Sequence, residues 1–142
     1  MTPSFGREER ATLLALAETE ELVALADAVL ASGGRLEIVR APTVGCVATQ
    51  VVEPVGGERF LLGDVLACQA EVALDDVPGW AMRLGDERAA TLAAAVCDAA
   101  AQSGAAGDVD ALCYRVAAMQ AEREAQEWAT LAPTVVKFQE LR

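Results

Sequence analysis

Between Arg35 and Gly85 the chain is cut into short apolar runs by turn signals, and this spacing limits the folds open to it more than any other feature. Leu36 to Arg40, Thr43 to Glu53, Val65 to Leu74 and Trp80 to Leu84 are rich in Val, Leu, Ile and Thr, residues that suit a half-buried pleated surface. Ala41-Pro42, Gly56-Gly57, Gly63-Asp64 and the cluster Asp75-Asp76-Val77-Pro78-Gly79 separate them. A parallel pair of strands needs a crossover of about a dozen residues or more. Consecutive strands here are therefore antiparallel, and the centre is expected to be a meander of four to five strands over residues 35–85.

Both flanks read as helix. From Arg7 to Ala31 the residues Leu13, Leu16, Leu22, Leu25, Val29 and Leu30 recur at helical spacing, and Thr19 followed by Glu20 and Glu21 looks like a cap with acids in a first turn. That pattern predicts two helices meeting at a bend, ended by Gly33-Gly34. After Gly85, Asp86 is the expected cap of a helix whose stripe is Ala89, Leu92, Val96 and Ala100, with Gly104 as its stop. A further helix is expected from Asp108, carrying Val109, Leu112, Val116 and Met119 on one face and running to Pro133. The fold class is α+β, one domain over residues 1–142, with helical segments 7–31 and 86–131 packed on the sheet and an apolar tail over 134–142. Thirty alanines favour closely packed helices.

Within the sheet, Thr43 to Val52 has no frankly polar face, whereas a one-sided antiparallel strand alternates cleanly. A helix or another subunit is expected to cover its second face. Val65 to Leu74 alternates better, with Leu66, Cys68, Ala70, Val72 and Leu74 on one side and Gln69 and Glu71 on the other.

The chemistry on offer is sparse. Net charge is -11, from 22 acids against 11 bases, which repels phosphate backbones and argues against nucleic acid as a partner. Histidine is absent, and with it the commonest general base and zinc ligand. Cys46, Cys68, Cys97 and Cys113 have no tight metal spacing and read as buried small hydrophobes in a reducing compartment. No signal peptide or membrane-length apolar run stands out, so a cytoplasmic protein without a membrane partner is expected.

Candidate contacts with a ligand are few. Glu58, Arg59 and Asp64 set an acid, a base and an acid around two turns, an arrangement that either holds a ligand phosphate through Arg59 or pairs charges at a sheet edge. Arg40, before Ala41-Pro42, is a candidate fork for a carboxylate or phosphate. Asp75-Asp76 and Glu20-Glu21 are explained by turn and cap settings. From the residues alone the domain lacks a self-sufficient active site. Three readings remain: an assembly subunit, a free-standing small-anion module using Arg40 and Arg59, and a homodimeric structural protein.

A resemblance joins these pieces. Ile38-Val39-Arg40-Ala41-Pro42, Gly57-Glu58-Arg59-Phe60, Leu62-Gly63-Asp64-Val65-Leu66, Gly79-Trp80-Ala81-Met82 and Leu84-Gly85-Asp86 through Ala99 resemble, in order and spacing, the PhnG family of the bacterial carbon-phosphorus lyase system. The ending Thr134, Val136, Phe138 is similar to the family's Thr-x-Val-x-Phe tail. The resemblance implies a subunit that acts with PhnH, PhnI and PhnL in transferring a phosphonate such as methylphosphonate to the ribose of ATP, displacing adenine. The product is ribose 1-methylphosphonate 5-triphosphate. It implies PhnI as main partner, together with PhnH, PhnJ and PhnK or PhnL. ATP with magnesium is implied for the complex, an iron-sulfur cluster for a partner subunit, and no cofactor for this chain. Val136, Phe138 and Leu141 are the expected partner-docking tail, and no catalytic residue is assigned.

Overall fold

The computed structural model describes residues 4–136. Four helices and a three-stranded antiparallel sheet follow the chain in the order α1 (Arg7–Leu16), α2 (Thr19–Ala31), β1 (Leu36–Val52), β2 (Arg59–Leu74), β3 (Val77–Leu84), α3 (Arg88–Gln102) and α4 (Ala106–Leu131), with a 3-10 turn at Ala132–Thr134. The sheet order is β1-β2-β3. The expected meander is there, but with three strands instead of four to five.

The lost boundaries have a local cause. Ala41-Pro42 does not end a strand. It sits in a bulge, since the register slips between Ile38 and Arg40 and again between Arg40 and Thr43. Proline lacks the N–H that a ladder needs and is tolerated at a bulge on an edge strand. Gly63-Asp64 likewise lies inside β2, with Gly63 opposite Thr49 and Asp64 opposite Ala48. The register slips there between Thr49 and Gln50, and Gly63 takes a positive φ of 151° that side chains avoid. Asp75 and Asp76, both at positive φ, make the two-residue turn to β3, the backbone twist that suits a tight hairpin. The strand consequently begins at Val77, three residues before the expected Trp80.

α3 is the hub. It packs on all three strands and against α1, α2 and α4, and residues 90–101 are buried apart from the half-buried Leu92. A helix apolar on all sides belongs in a core, and its alanines let six neighbours approach closely. The expected stripe was too narrow, and Ala89 faces solvent. Leu14, Leu22, Val72, Val96, Val109 and Leu112 are the large side chains around it. Met119, expected on the inner face of α4, is 46% exposed.

Two caps fall elsewhere. Glu18 and Glu87 occupy the cap positions of α2 and α3, and neither caps through its side chain. The Thr19 hydroxyl instead donates to the Glu87 carboxylate at 2.7 Å, tying the start of α2 to the start of α3. Gly104 does end α3, at φ 100°.

Cys68, Cys97 and Cys113 are buried, as expected, but Cys46 is exposed on β1. Burial pushes the Cys97 thiol up to about 12, helped by Cys113 and Asp98 nearby. Burial, then the Asp110 carboxylate, pushes Cys113 up to about 11 against the opposing Arg10. In native protein at pH 8, a thiol reagent should modify one cysteine, and Cys46→Ser should abolish that reaction; three fast-reacting thiols would refute the packing. Both raised thiols keep their protons longer in the folded chain. Their contribution to stability is thus complete below about pH 9 and fades as pH climbs from 9 toward 11 to 12.

Candidate functional site

The sheet has one face on α3 and one open face. On the open face the register lays out three rows: Arg40, Glu71 and Trp80; Thr43, Gln69 and Met82; Gly45, Ala67 and Leu84. Alternation along β2 and β3 puts these side chains together. A hollow of about 160 Å³ is lined by Arg40, the consecutive β1 residues Thr43 to Val47, and Ala67, Gln69 and Met82. Beyond Met82 the face continues into a larger, mainly apolar groove of about 590 Å³, formed by Trp80, Met82 and Leu84 with the outer side of α1 around Ala11, Ala15 and Leu16. Leu84 is 75% exposed.

The second feature is a ribbon. β3 pairs with β2 only from Ala67 to Leu74, so Cys46–Val52 and Arg59–Leu66 run on as two strands alone. Val47, Val52, Phe60, Leu61, Leu62 and Leu66 are exposed there, Leu61 and Leu62 at 62% and 67%. The cover expected for the second face of Thr43 to Val52 is not supplied by any helix of the described residues. An isolated two-stranded ribbon is marginal in water, and apolar patches of this kind mark interaction surfaces. Its tip is held by Glu53, whose carboxylate accepts from the backbone N–H groups of Val55 and Gly56. Those N–H groups, Gly56 first, hold the acid below its ordinary range.

The candidate polar residues are dispersed. Arg40 lies in the hollow, its Nε 4.0 Å from Glu71 Oε2 and more than half exposed, so the pair is weak. Arg59 opens β2 opposite Val52, twelve positions of β1 away from Arg40, or roughly 35 Å at ~3.3 Å per residue with the bulges allowed for. One small anion cannot bridge the two. Glu58 and Asp64 are exposed on the ribbon, and among the described residues neither they nor Arg59 form an ion pair. Val136 is 71% exposed beyond α4; Phe138 and Leu141 lie outside the described residues. Among the described residues no three His, Cys, Asp or Glu side chains stand where they could hold a metal ion, and no helix is long and apolar enough to cross a membrane.

The buried charges carry the site's geometry, and the sequence reading passed over them. Arg83 donates from Nη1 to the Leu14 carbonyl at 2.7 Å, fixing the last turn of α1 beside β3 and so forming one wall of the groove. Asp98 accepts from Arg7 Nη2 at 3.1 Å and from the Trp80 backbone N–H at 3.0 Å. Arg10 Nε meets Asp110 Oδ1 at 3.1 Å, both nearly fully buried. For Arg83 and Asp98 the signal was available: each is a lone charge inside an apolar run, and such a charge is buried only with a partner.

The family model described as "Phosphonate metabolism protein PhnG" matches residues 6–142, nearly the whole chain. No curated protein matches it.

Proposed function

The chain belongs to the PhnG family, subunits of the carbon-phosphorus lyase complex in phosphonate metabolism, and we propose that its part in that complex is assembly, with no catalytic group of its own. The observation that carries this reading is the uncovered ribbon with Phe60, Leu61, Leu62 and Leu66 exposed, which buries far better against a partner than against water. The described ionisable groups support it too, since the buried ones tie elements together and the exposed ones do not converge. In this reading PhnI is the main partner, PhnH, PhnJ and PhnK or PhnL complete the assembly, and the reaction moves methylphosphonate onto the ribose of ATP with loss of adenine. In this reading magnesium-bound ATP is used by the complex, and the iron-sulfur cluster belongs to a partner subunit. The four cysteines here do not fit a cluster, with three buried and one exposed on β1.

Co-expression with PhnH, PhnI and PhnJ of the same organism, followed by pull-down and mass measurement, tests it. A stoichiometric complex is expected. Leu61→Glu with Leu62→Glu should leave the helical content unchanged and lower complex yield at least about tenfold, equivalent to ~1.4 kcal/mol or more of lost interface. A wild-type chain that elutes alone from all three would overturn the reading.

A further inference from the structure

The two outer strands of the sheet are finished differently. On β3, the Trp80 N–H donates to buried Asp98 and the Pro78 carbonyl accepts from Gln102 Nε2 at 2.7 Å, so α3 side chains close that edge. On β1 the first third is interrupted by the two bulges around Val39 and Pro42, a common way of blunting an edge. From Thr43 to Val52 neither device is present. Ten residues, TVGCVATQVV, run without charge, proline or a bulge on their own strand, since the slip at Thr49 places its extra residue on β2. Among the described residues nothing pairs with this edge. A long, flat, neutral edge invites another strand.

We infer that the outer edge of β1 over Thr43–Val52 is a strand-addition site, filled in the assembled complex by an extended segment of a different polypeptide. Only an extended backbone satisfies a row of alternating N–H and C=O groups, and pockets for alternate side chains then supply selectivity. Such a pocket adjoins the edge: the 160 Å³ hollow is lined by five consecutive β1 residues together with Gln69 and Met82. Charge selects the occupant. Two copies of a chain at -11 repel one another, while Thr43–Val52 carries no charge and is followed on its strand's end by Glu53 and then Glu58. The segment that fits is apolar and neutral in its centre, basic at a flank, and not this chain. This inference rests on the subunit reading above and specifies how the subunit docks.

Amide hydrogen exchange, read residue by residue in the full chain alone and in the co-expressed complex, tests it. The expected result is that alternate amides between Thr43 and Val52, those pointing away from β2, slow by at least about 100-fold in the complex, while the Trp80 amide, already bonded to Asp98, changes little. A complex that forms with those amides exchanging as in the free chain overturns the inference and leaves the subunit reading standing. Protection of the same amides in the chain alone, with a doubled mass, makes the occupant a second copy and also overturns it. Failure to form any complex removes the subunit reading and this inference with it. A proline pair gives a second measure: at two neighbouring positions such as Val47→Pro and Ala48→Pro, one substitution removes an N–H directed to β2 and the other an N–H directed outward. The outward one should leave the chain folded and reduce complex yield at least tenfold; unchanged yield with both chains folded contradicts strand addition.

Discussion

Replacing Arg10 with methionine is expected to destabilise the chain by about 3 to 5 kcal/mol, the usual effect of leaving one partner of a buried ion pair behind. Arg10 holds Asp110 through Nε at 3.1 Å and the Phe5 carbonyl through Nη2 at 3.0 Å, with both charged side chains about one-tenth exposed. Without the guanidinium, the Asp110 carboxylate stays in a low-dielectric seam between α1 and α4 with no cation beside it. Asp110→Leu alone should cost a similar amount for the mirrored reason. The double variant, Arg10→Met with Asp110→Leu, should cost clearly less than the two single effects added, because neither charge is then stranded. Urea unfolding of the four proteins gives the comparison. Additive losses would mean that the pair does not act as a unit and that α1 is held by its apolar residues and by Arg83.

Gly79→Ala should be nearly as damaging, by a different route. Gly79 is where β3 passes closest to α3: a Cβ there would overlap the Ala95 carbonyl oxygen and stand 2.7 Å from Ala99 Cβ and 2.8 Å from Ala99 N. Two of these three neighbours are backbone, so no side-chain rotation relieves the overlap. Sheet and helix must separate, yet α3 is packed against α1, α2 and α4 on its other sides. Overpacking in a closed core costs about 1 to 3 kcal/mol and occasionally more, and this position belongs at the upper end, with a fall in Tm of roughly 10 °C. Gly107→Ala is the control, because its Cβ would meet nothing within 4 Å. A Gly79→Ala protein as stable as the control would show that the helix and sheet can move apart freely.

How much of this was legible depended on the range of the interactions involved. The bend at Ala17-Glu18, the stops at Gly33-Gly34 and Gly104 and the tight turn at Asp75-Asp76 rest on local backbone preferences, and they could be read from a few residues each. The alternation of Cys68, Ala70, Val72 and Leu74 likewise announced the buried face of β2. Pro42 and Gly63 misled because each has two uses: both punctuate loops, and both also sit in bulges, and the partner strand decides which. Cys46 differs from the other three cysteines only in lying on the part of β1 that extends beyond the helices. The candidate site was half visible. Thr43 to Val52 was seen to have two apolar faces, but the hollow at Arg40 and the groove at Trp80 need residues from three strands and a helix, whose registers no local pattern records.

By itself the sequence determined the α+β class, the antiparallel order imposed by short connections, and the surplus of apolar sheet surface, since these follow from chain connectivity, side-chain period and composition. Tertiary structure alone decided that α3 is enclosed on every side, that Asp98 and Gln102 close the β3 edge while β1 stays open, and that Arg40 and Arg59 stand far apart. Those outcomes depend on which distant segments meet and on which buried charge finds a partner, and such pairings are fixed only when the whole chain has packed.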